Sequence, residues 1–373
     1  PMSQRIVNFS AGPATMPLPV LEQAQQDLVN YQGHGLSVME MSHRSKPYDA
    51  IHQSAIQGVK TLLAVPDTHE VLFLQGGASH QFAMVPMNLL SAGGSADVIH
   101  SGSWTKKAIG ELKKGYQYRV IASSESDGFL RLPTLSDADI DPTSTYTYMC
   151  SNNTIFGTQY RSFPTHHTLV ADMSSDILSR PLDVSQFGII FAGAQKNIGP
   201  AGVTLVIIRR DLLERGGDTI PAFFHYGSHA SAQSLYNTPP TFAIYMANLV
   251  FQDLIAQGGL AAQEARNIEK AARLYDAIDQ HPDFYCPIPT SDRSLMNVVF
   301  RHKDHDETIE ADFISAATQA GFDGLKGHRS VGGLRASIYN AQTKDNIDRF
   351  ATFLTNYTTC LTSGTRRSDA RTA

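Results

Sequence analysis

Short apolar runs alternate with stretches of helical period through the first half of the chain, and that alternation restricts the fold to an α/β sheet built from βαβ units. Val71-Leu72-Phe73-Leu74 runs into Gly76-Gly77-Ala78-Ser79 and then a helix through Phe82, Val85, Met87 and Leu90. Asp97-Val98-Ile99 closes at Ser101-Gly102-Ser103-Trp104, before a helix to Lys114. Tyr146–Cys150 ends at Ser151-Asn152-Asn153-Thr154, and the strand at 168–171 ends on Asp172. The strand at 189–192 leads into Gly193-Ala194-Gln195-Lys196, and 204–208 returns as a strand.

Farther on, a helical pattern from 240 to about 257 stops at Gly258-Gly259, and another runs from about 262 to 278. The domain change is therefore placed near Gly258. A large domain spans 17–258. Beyond it come strands at 296–300 and 334–338, a helix at 310–320 and a last helix from 343 to about 361. These form a small α/β domain, 259–362, which residues 1–16, extended by Gly12-Pro13, join. Residues 363–373, rich in Arg, Ser and Thr, are predicted to be disordered.

A formal net charge of −5 argues against a general nucleic-acid binder, so any phosphate chemistry must come from local cation clusters. The cysteines Cys150, Cys286 and Cys360 show no metal-ligand spacing and no disulfide framework, which fits a reducing compartment. No apolar targeting segment follows the N-terminus, and the apolar stretch 242–251 is far shorter than the ~20 residues of a membrane span. A soluble, cytoplasmic protein without a metal is expected.

In open parallel sheets, ligands bind at the carboxyl ends of strands. Ser79, Trp104, Thr154, Asp172 and Lys196 all sit there. The Gly76–Ser79 turn can offer free amides and a positive helix end to a phosphate. Read alone, it is equally a tight turn with Ser79 as N-cap, and it matches neither a P-loop nor a dinucleotide fingerprint. Asp172 ends a buried strand and needs a partner, such as a protonated ring nitrogen, unless it merely caps the next helix. Trp104 is the sole tryptophan, suited to stacking on a ring or to filling a core. Lys196 lies in a crowded loop, 192–202, rich in Gly and Ala. A lysine that attacks a buried aldehyde needs such surroundings, because desolvation frees its neutral amine; a surface lysine does not. Late in the chain, Lys326-Gly327-His328-Arg329 and Arg335 resemble an anion-binding loop, with Arg335 on a strand able to grip a carboxylate. His43-Arg44 is a second cationic pair.

Five stretches together carry a resemblance: Asn8–Pro13, Ser37–Arg44, Gly193–Gly202, Tyr236–Thr241 and Gly327–Asn340. The chain resembles the phosphoserine aminotransferase family, class V aminotransferases of the pyridoxal-phosphate (PLP) fold type I, over nearly its whole length. That resemblance implies a large domain with a mixed, mostly parallel sheet and a smaller C-terminal α/β domain. It implies that Lys196 holds pyridoxal 5'-phosphate as a Schiff base and shuttles a proton, that Asp172 pairs with the pyridine nitrogen, that Trp104 stacks on the ring, and that Thr154 bonds near the ring hydroxyl. Ala78, Ser79 and Gln195 would hold the cofactor phosphate, with Asn237 and Thr238 from a partner subunit. Arg335 would bind the substrate carboxylate, and His328, Arg329 and the partner's His43 and Arg44 the substrate phosphate. A homodimer follows.

The implied reaction is reversible amino transfer between L-glutamate and 3-phosphohydroxypyruvate in serine biosynthesis, with the 4-phosphohydroxy-L-threonine step of vitamin B6 synthesis as an open addition. Family members carry glycine and arginine where this chain has Ala78 and Ser79, so one local positive charge is missing here. The rival expectations are another class V aminotransferase, of serine/alanine–glyoxylate type, and a non-catalytic anion-binding protein on the same fold.

Overall fold

The computed structural model describes residues 5–359; the predicted tail and Cys360 lie outside the described residues. Seven strands form the central sheet in the order His69–Leu74, Thr204–Arg209, Ile189–Gly193, Leu169–Asp172, Tyr146–Cys150, Ser95–His100 and Gln117–Ser123. Thr204–Arg209 runs antiparallel to both neighbours, and the successive pairs from Ile189–Gly193 to Gln117–Ser123 are parallel.

The sheet is buried on both faces, which is why its strands read as unbroken apolar runs rather than alternating ones. Val71, Phe73, Leu205 and Ile207 enter a core shared with the helices Lys46–Leu63 and Thr241–Ala256. Leu72, Leu74, Val206 and Ile208 enter the opposite core, under Gly77–Leu89 and Ser103–Leu112. Gln117–Ser123 is different. It is an edge strand with mostly exposed or half-buried side chains, Val120 among them, so it carries no apolar pattern and is not predicted from the sequence.

A separate apolar cluster gathers around the three-stranded antiparallel sheet Phe284–Tyr285, Asn297–His302 and Leu334–Ser337. The helices Gly259–Asp279, Glu307–Gln319 and Lys344–Asn356 enclose it. Val7–Asn8 pairs in parallel with Phe322–Asp323, and Phe9 packs on Phe350. The last helix ends at Asn356, not near 361, because Tyr357 turns to an extended conformation. The helix after Trp104 likewise ends at Leu112, two residues before the expected Lys114.

Between the two cores, Lys270 is 2% exposed. Its ammonium donates to the carbonyls of Ile338, Tyr339 and Gln342 at 3.0, 2.8 and 2.8 Å. Asn340 in the same loop donates its backbone N–H to Asn197 Oδ1 at 3.0 Å, so this joint reaches the residue next to Lys196.

Candidate active site

Parallel strands carry their polar end residues to one edge of the sheet, and here that edge gathers the candidate groups. Asp172 ends Leu169–Asp172 and is 4% exposed. Its Oδ1 accepts the Ser174 amide at 2.9 Å, a local turn that fixes the carboxylate. Burial raises the Asp172 pKa, opposed by the Ser174 hydrogen bonds and by Lys196. Lys196 follows the neighbouring strand Ile189–Gly193, after a tight turn. Its Nζ donates to Thr154 Oγ1 at 2.8 Å and lies 5.8 Å from the Trp104 ring centroid. Burial lowers the Lys196 pKa, with Asp172 pulling the other way and Arg335 reinforcing the fall.

Opposite charges this close and this buried would normally close into an ion pair. Among the described residues no ion pair joins Lys196 to Asp172, although each shifts the other's titration. Gly12 packs closely against the Lys196 side chain: a Cβ there would come within 3.3 Å of Lys196 Cγ.

The helix Gly77–Leu89 begins one residue after Gly76, whose left-handed φ of 93° makes the turn, and no side chain caps it. Ser79 is therefore in the first turn rather than the N-cap expected from the sequence. First-turn amides have no acceptor within the helix. Thr204 Oγ1 takes the Gly77 amide at 2.8 Å, which leaves those of Ala78 and Ser79 for a ligand. Gln195 is half-buried beside Lys196, and its carbonyl accepts the Ala14 amide at 2.9 Å.

Arg335 brings the small-domain sheet to the same place. Its Nη1 donates to the Thr154 carbonyl at 3.3 Å, while its Nε is buried without a partner. It has no carboxylate partner among the described residues, and burial lowers its pKa. A half-buried guanidinium left open is an anion site in waiting. Beside it, His328 Nδ1 meets Ser330 Oγ at 2.7 Å. Burial lowers the His328 pKa, and the charges of Arg335, Arg329 and Lys107 lower it further. The charges of Arg335 and Arg329 thus both act on His328. Trp104 also leaves its indole Nε1 buried and unpaired.

Within the chain, Lys196, Asp172, Thr154, Trp104 and Arg335 come together. His43 and Arg44 stay apart, on the loop before the helix Lys46–Leu63, and their side chains touch none of these groups. Asn237 donates to its own chain's Gln75 at 2.8 Å, just before the irregular segment Thr238 to Pro240. Tyr339 carries no assigned role in the sequence analysis, yet its hydroxyl bonds the Ala11 carbonyl and accepts from Asn297 Nδ2 at 3.1 Å.

A family model described as aminotransferase class-V matches residues 6–350. The phosphoserine aminotransferase of Geobacillus kaustophilus is 52% identical over 356 residues, 95% of this chain and 98% of the relative. The solved phosphoserine aminotransferase of Bacillus circulans subsp. alkalophilus superposes with a TM-score of 0.91 at 46% identity, covering 94% of this chain and 98% of that one. A PLP-bound phosphoserine aminotransferase from Trichomonas vaginalis gives 0.88 at 39%, covering 94% and 99%. The chain belongs to the aminotransferase class-V family.

Proposed function

We propose that this chain is a phosphoserine aminotransferase, moving an amino group reversibly between L-glutamate and 3-phosphohydroxypyruvate to give 2-oxoglutarate and O-phospho-L-serine. The observation that carries the reading is the unclosed pair: a half-buried amine and a buried carboxylate on adjacent strand ends, with the amine and the Arg335 guanidinium, whose Nε is buried and unpaired, both bonded to Thr154. Pyridoxal 5'-phosphate fits these residues: Lys196 suits its aldehyde, the Asp172 carboxylate its ring nitrogen, and the open amides of Ala78 and Ser79 its phosphate. When bound, it supplies the electron sink that makes the substrate Cα–H acidic.

The chain's own residues do the rest. Asp172 would hold the pyridine nitrogen protonated, and Trp104 would stack on the ring. The free amides of Ala78 and Ser79, with Gln195, bind the cofactor phosphate, and Thr154 orients Lys196. The Lys196 amine, its pKa lowered by burial, would take the proton from the substrate Cα and return it. Arg335 grips the α-carboxylate common to both substrates. His328 and Arg329 hold the substrate phosphate. In a homodimer, Asn237 and Thr238 of the partner subunit complete the cofactor phosphate site, and His43 and Arg44 of the partner subunit complete the substrate phosphate site. We place the domain division at Gly258 and the enzyme in the cytoplasm.

A coupled assay with phosphoserine and 2-oxoglutarate tests the reading. Glutamate formation should follow phosphoserine and be far slower with serine. Serine outpacing phosphoserine would overturn the substrate and favour the serine/alanine–glyoxylate type instead.

A further inference from the structure

A buried amide joins the two halves of the candidate site. Asn297 opens the small-domain strand Asn297–His302 and is 0% exposed. It pairs in register with Ser337, two residues past Arg335 on the neighbouring strand. Asn297 Nδ2 donates to Ser337 Oγ at 2.9 Å and to the Tyr339 hydroxyl at 3.1 Å. Its Oδ1 accepts from Asn152 Nδ2 at 2.8 Å. Both amide protons and the carbonyl are thus engaged, two bonds staying inside the small domain and one crossing to the large.

Asn152 lies two residues before Thr154 and is itself buried. Its Nδ2 also donates to Ser175 Oγ at 2.7 Å, three residues past Asp172, and its Oδ1 accepts from Ser294 Oγ at 2.5 Å. An unbroken run of buried hydrogen bonds therefore leads from the Asp172 turn through Asn152 and Asn297 to the strand that carries Arg335. The backbones also meet here: a Cβ at Gly157 would come within 2.8 Å of Val299 Cγ2 and 3.1 Å of the Asn297 carbonyl oxygen. Arg335 Nη1 and Lys196 Nζ both reach Thr154, one at its carbonyl and one at its hydroxyl. How the Arg335 strand seats on the segment 152–154 then sets how far apart the guanidinium and the amine lie.

We propose that Asn297 is a positioning residue, which seats the Arg335 strand against the Thr154 segment through Asn152. It would thereby fix the reach between the guanidinium that grips the substrate α-carboxylate and the amine that works at Cα. This rests on the roles of Arg335 and Lys196 proposed above. A small misplacement of reacting groups costs rate far more than it costs binding. A merely structural Asn297 would lower stability and leave the turnover of the folded enzyme alone.

The test is steady-state kinetics of the Asn297→Ala, Asn152→Ala and doubly substituted holoenzymes, with Ser337→Ala as a control and denaturant unfolding of each. Asn297→Ala should lower kcat about 30-fold with phosphoserine and with glutamate alike, since both carry the α-carboxylate, and leave both KM values within about threefold. Asn152→Ala removes the same link from the large domain and should match it; it also stands in for Asn297→Ala should that chain not fold. The double variant should be no slower than the slower single one, because one link is lost in all three. Ser337→Ala removes a bond inside the small domain, where the strand ladder already sets the register, so its unfolding midpoint should fall while kcat stays within about twofold of wild type. Folded Asn297→Ala or Asn152→Ala with kcat within about twofold of wild type, fully additive losses in the double variant, or an equal loss in Ser337→Ala would overturn the positioning role. A wild type that turns over glutamate but not phosphoserine would overturn the substrate reading instead, and the glutamate arm would still decide the role of Asn297.

Discussion

Lys270 is buried and Lys196 half-buried, and the pKa of each is lowered first of all by desolvation, yet their surroundings differ in one decisive way. Lys270, pulled down to about 7, donates to three backbone carbonyls, which use every proton of an ammonium. Lys196 donates to a single hydroxyl and leaves a carboxylate nearby unpaired. A lysine with all its donors used is a structural tie. One with a single partner and an unmatched acid nearby is poised for chemistry. The direction of the pKa shift does not separate the two; hydrogen-bond accounting does.

That contrast is open to direct attack. Lys196→Ala should cut amino transfer by about 10⁴-fold or more, the upper range for a positioned acid–base group, as read by the coupled assay. A variant retaining a tenth of wild-type turnover would remove Lys196 from the chemistry. Next in size is Arg335→Leu. It should raise the KM of glutamate and phosphoserine alike by about 100-fold, since both carry the α-carboxylate that its guanidinium would bind bidentately. A loss confined to one donor would break that assignment.

Lys270→Met attacks the other half of the comparison. Three carbonyls lose their donor together, and the chain should be destabilised by about 3 kcal/mol in denaturant unfolding, with KM values little changed. Unaltered stability would mean that the tie between the two cores is not where the structure puts it. Arg329→Leu is a smaller and more selective change. It should raise the phosphoserine KM about tenfold while leaving serine within about twofold, and equal losses would contradict the division of roles.

The smallest effect concerns the cofactor-free chain. Burying the Lys196 amine without an ion pair is unfavourable, so Lys196→Met should stabilise the apoprotein by about 1 kcal/mol at neutral pH. The sign of its pH dependence follows from linkage. The folded-state pKa lies below the ordinary 10.5, so between those two values the unfolded chain binds more protons and wild-type stability rises with pH. The advantage of Lys196→Met should therefore shrink as pH climbs toward 10.5; an advantage that grew with pH would reverse the argument.

Much of this site is legible in the sequence, for reasons that can be named. Strand ends in a parallel sheet are local features, so Asp172, Trp104, Thr154 and Lys196 can be found from apolar runs and the polar residues that stop them. Arg335 is visible because a charged residue at the head of a short apolar strand is conspicuous. Lys270 is not, because a lysine on an amphipathic helix reads as solvated, and its burial depends on a loop about seventy residues away. The polar support of Asn297 and Tyr339 likewise joins residues far apart in sequence. The edge strand Gln117–Ser123 is missed because it buries too little to leave a period.

The most direct measurement is borohydride reduction of the protein in the presence of pyridoxal 5'-phosphate, followed by peptide mass mapping. A pyridoxyl label on the peptide containing Lys196, and none on that containing Lys270, is the expected result. A label on Lys270, or an unlabelled Lys196, would contradict the distinction between the two lysines and the function built on it.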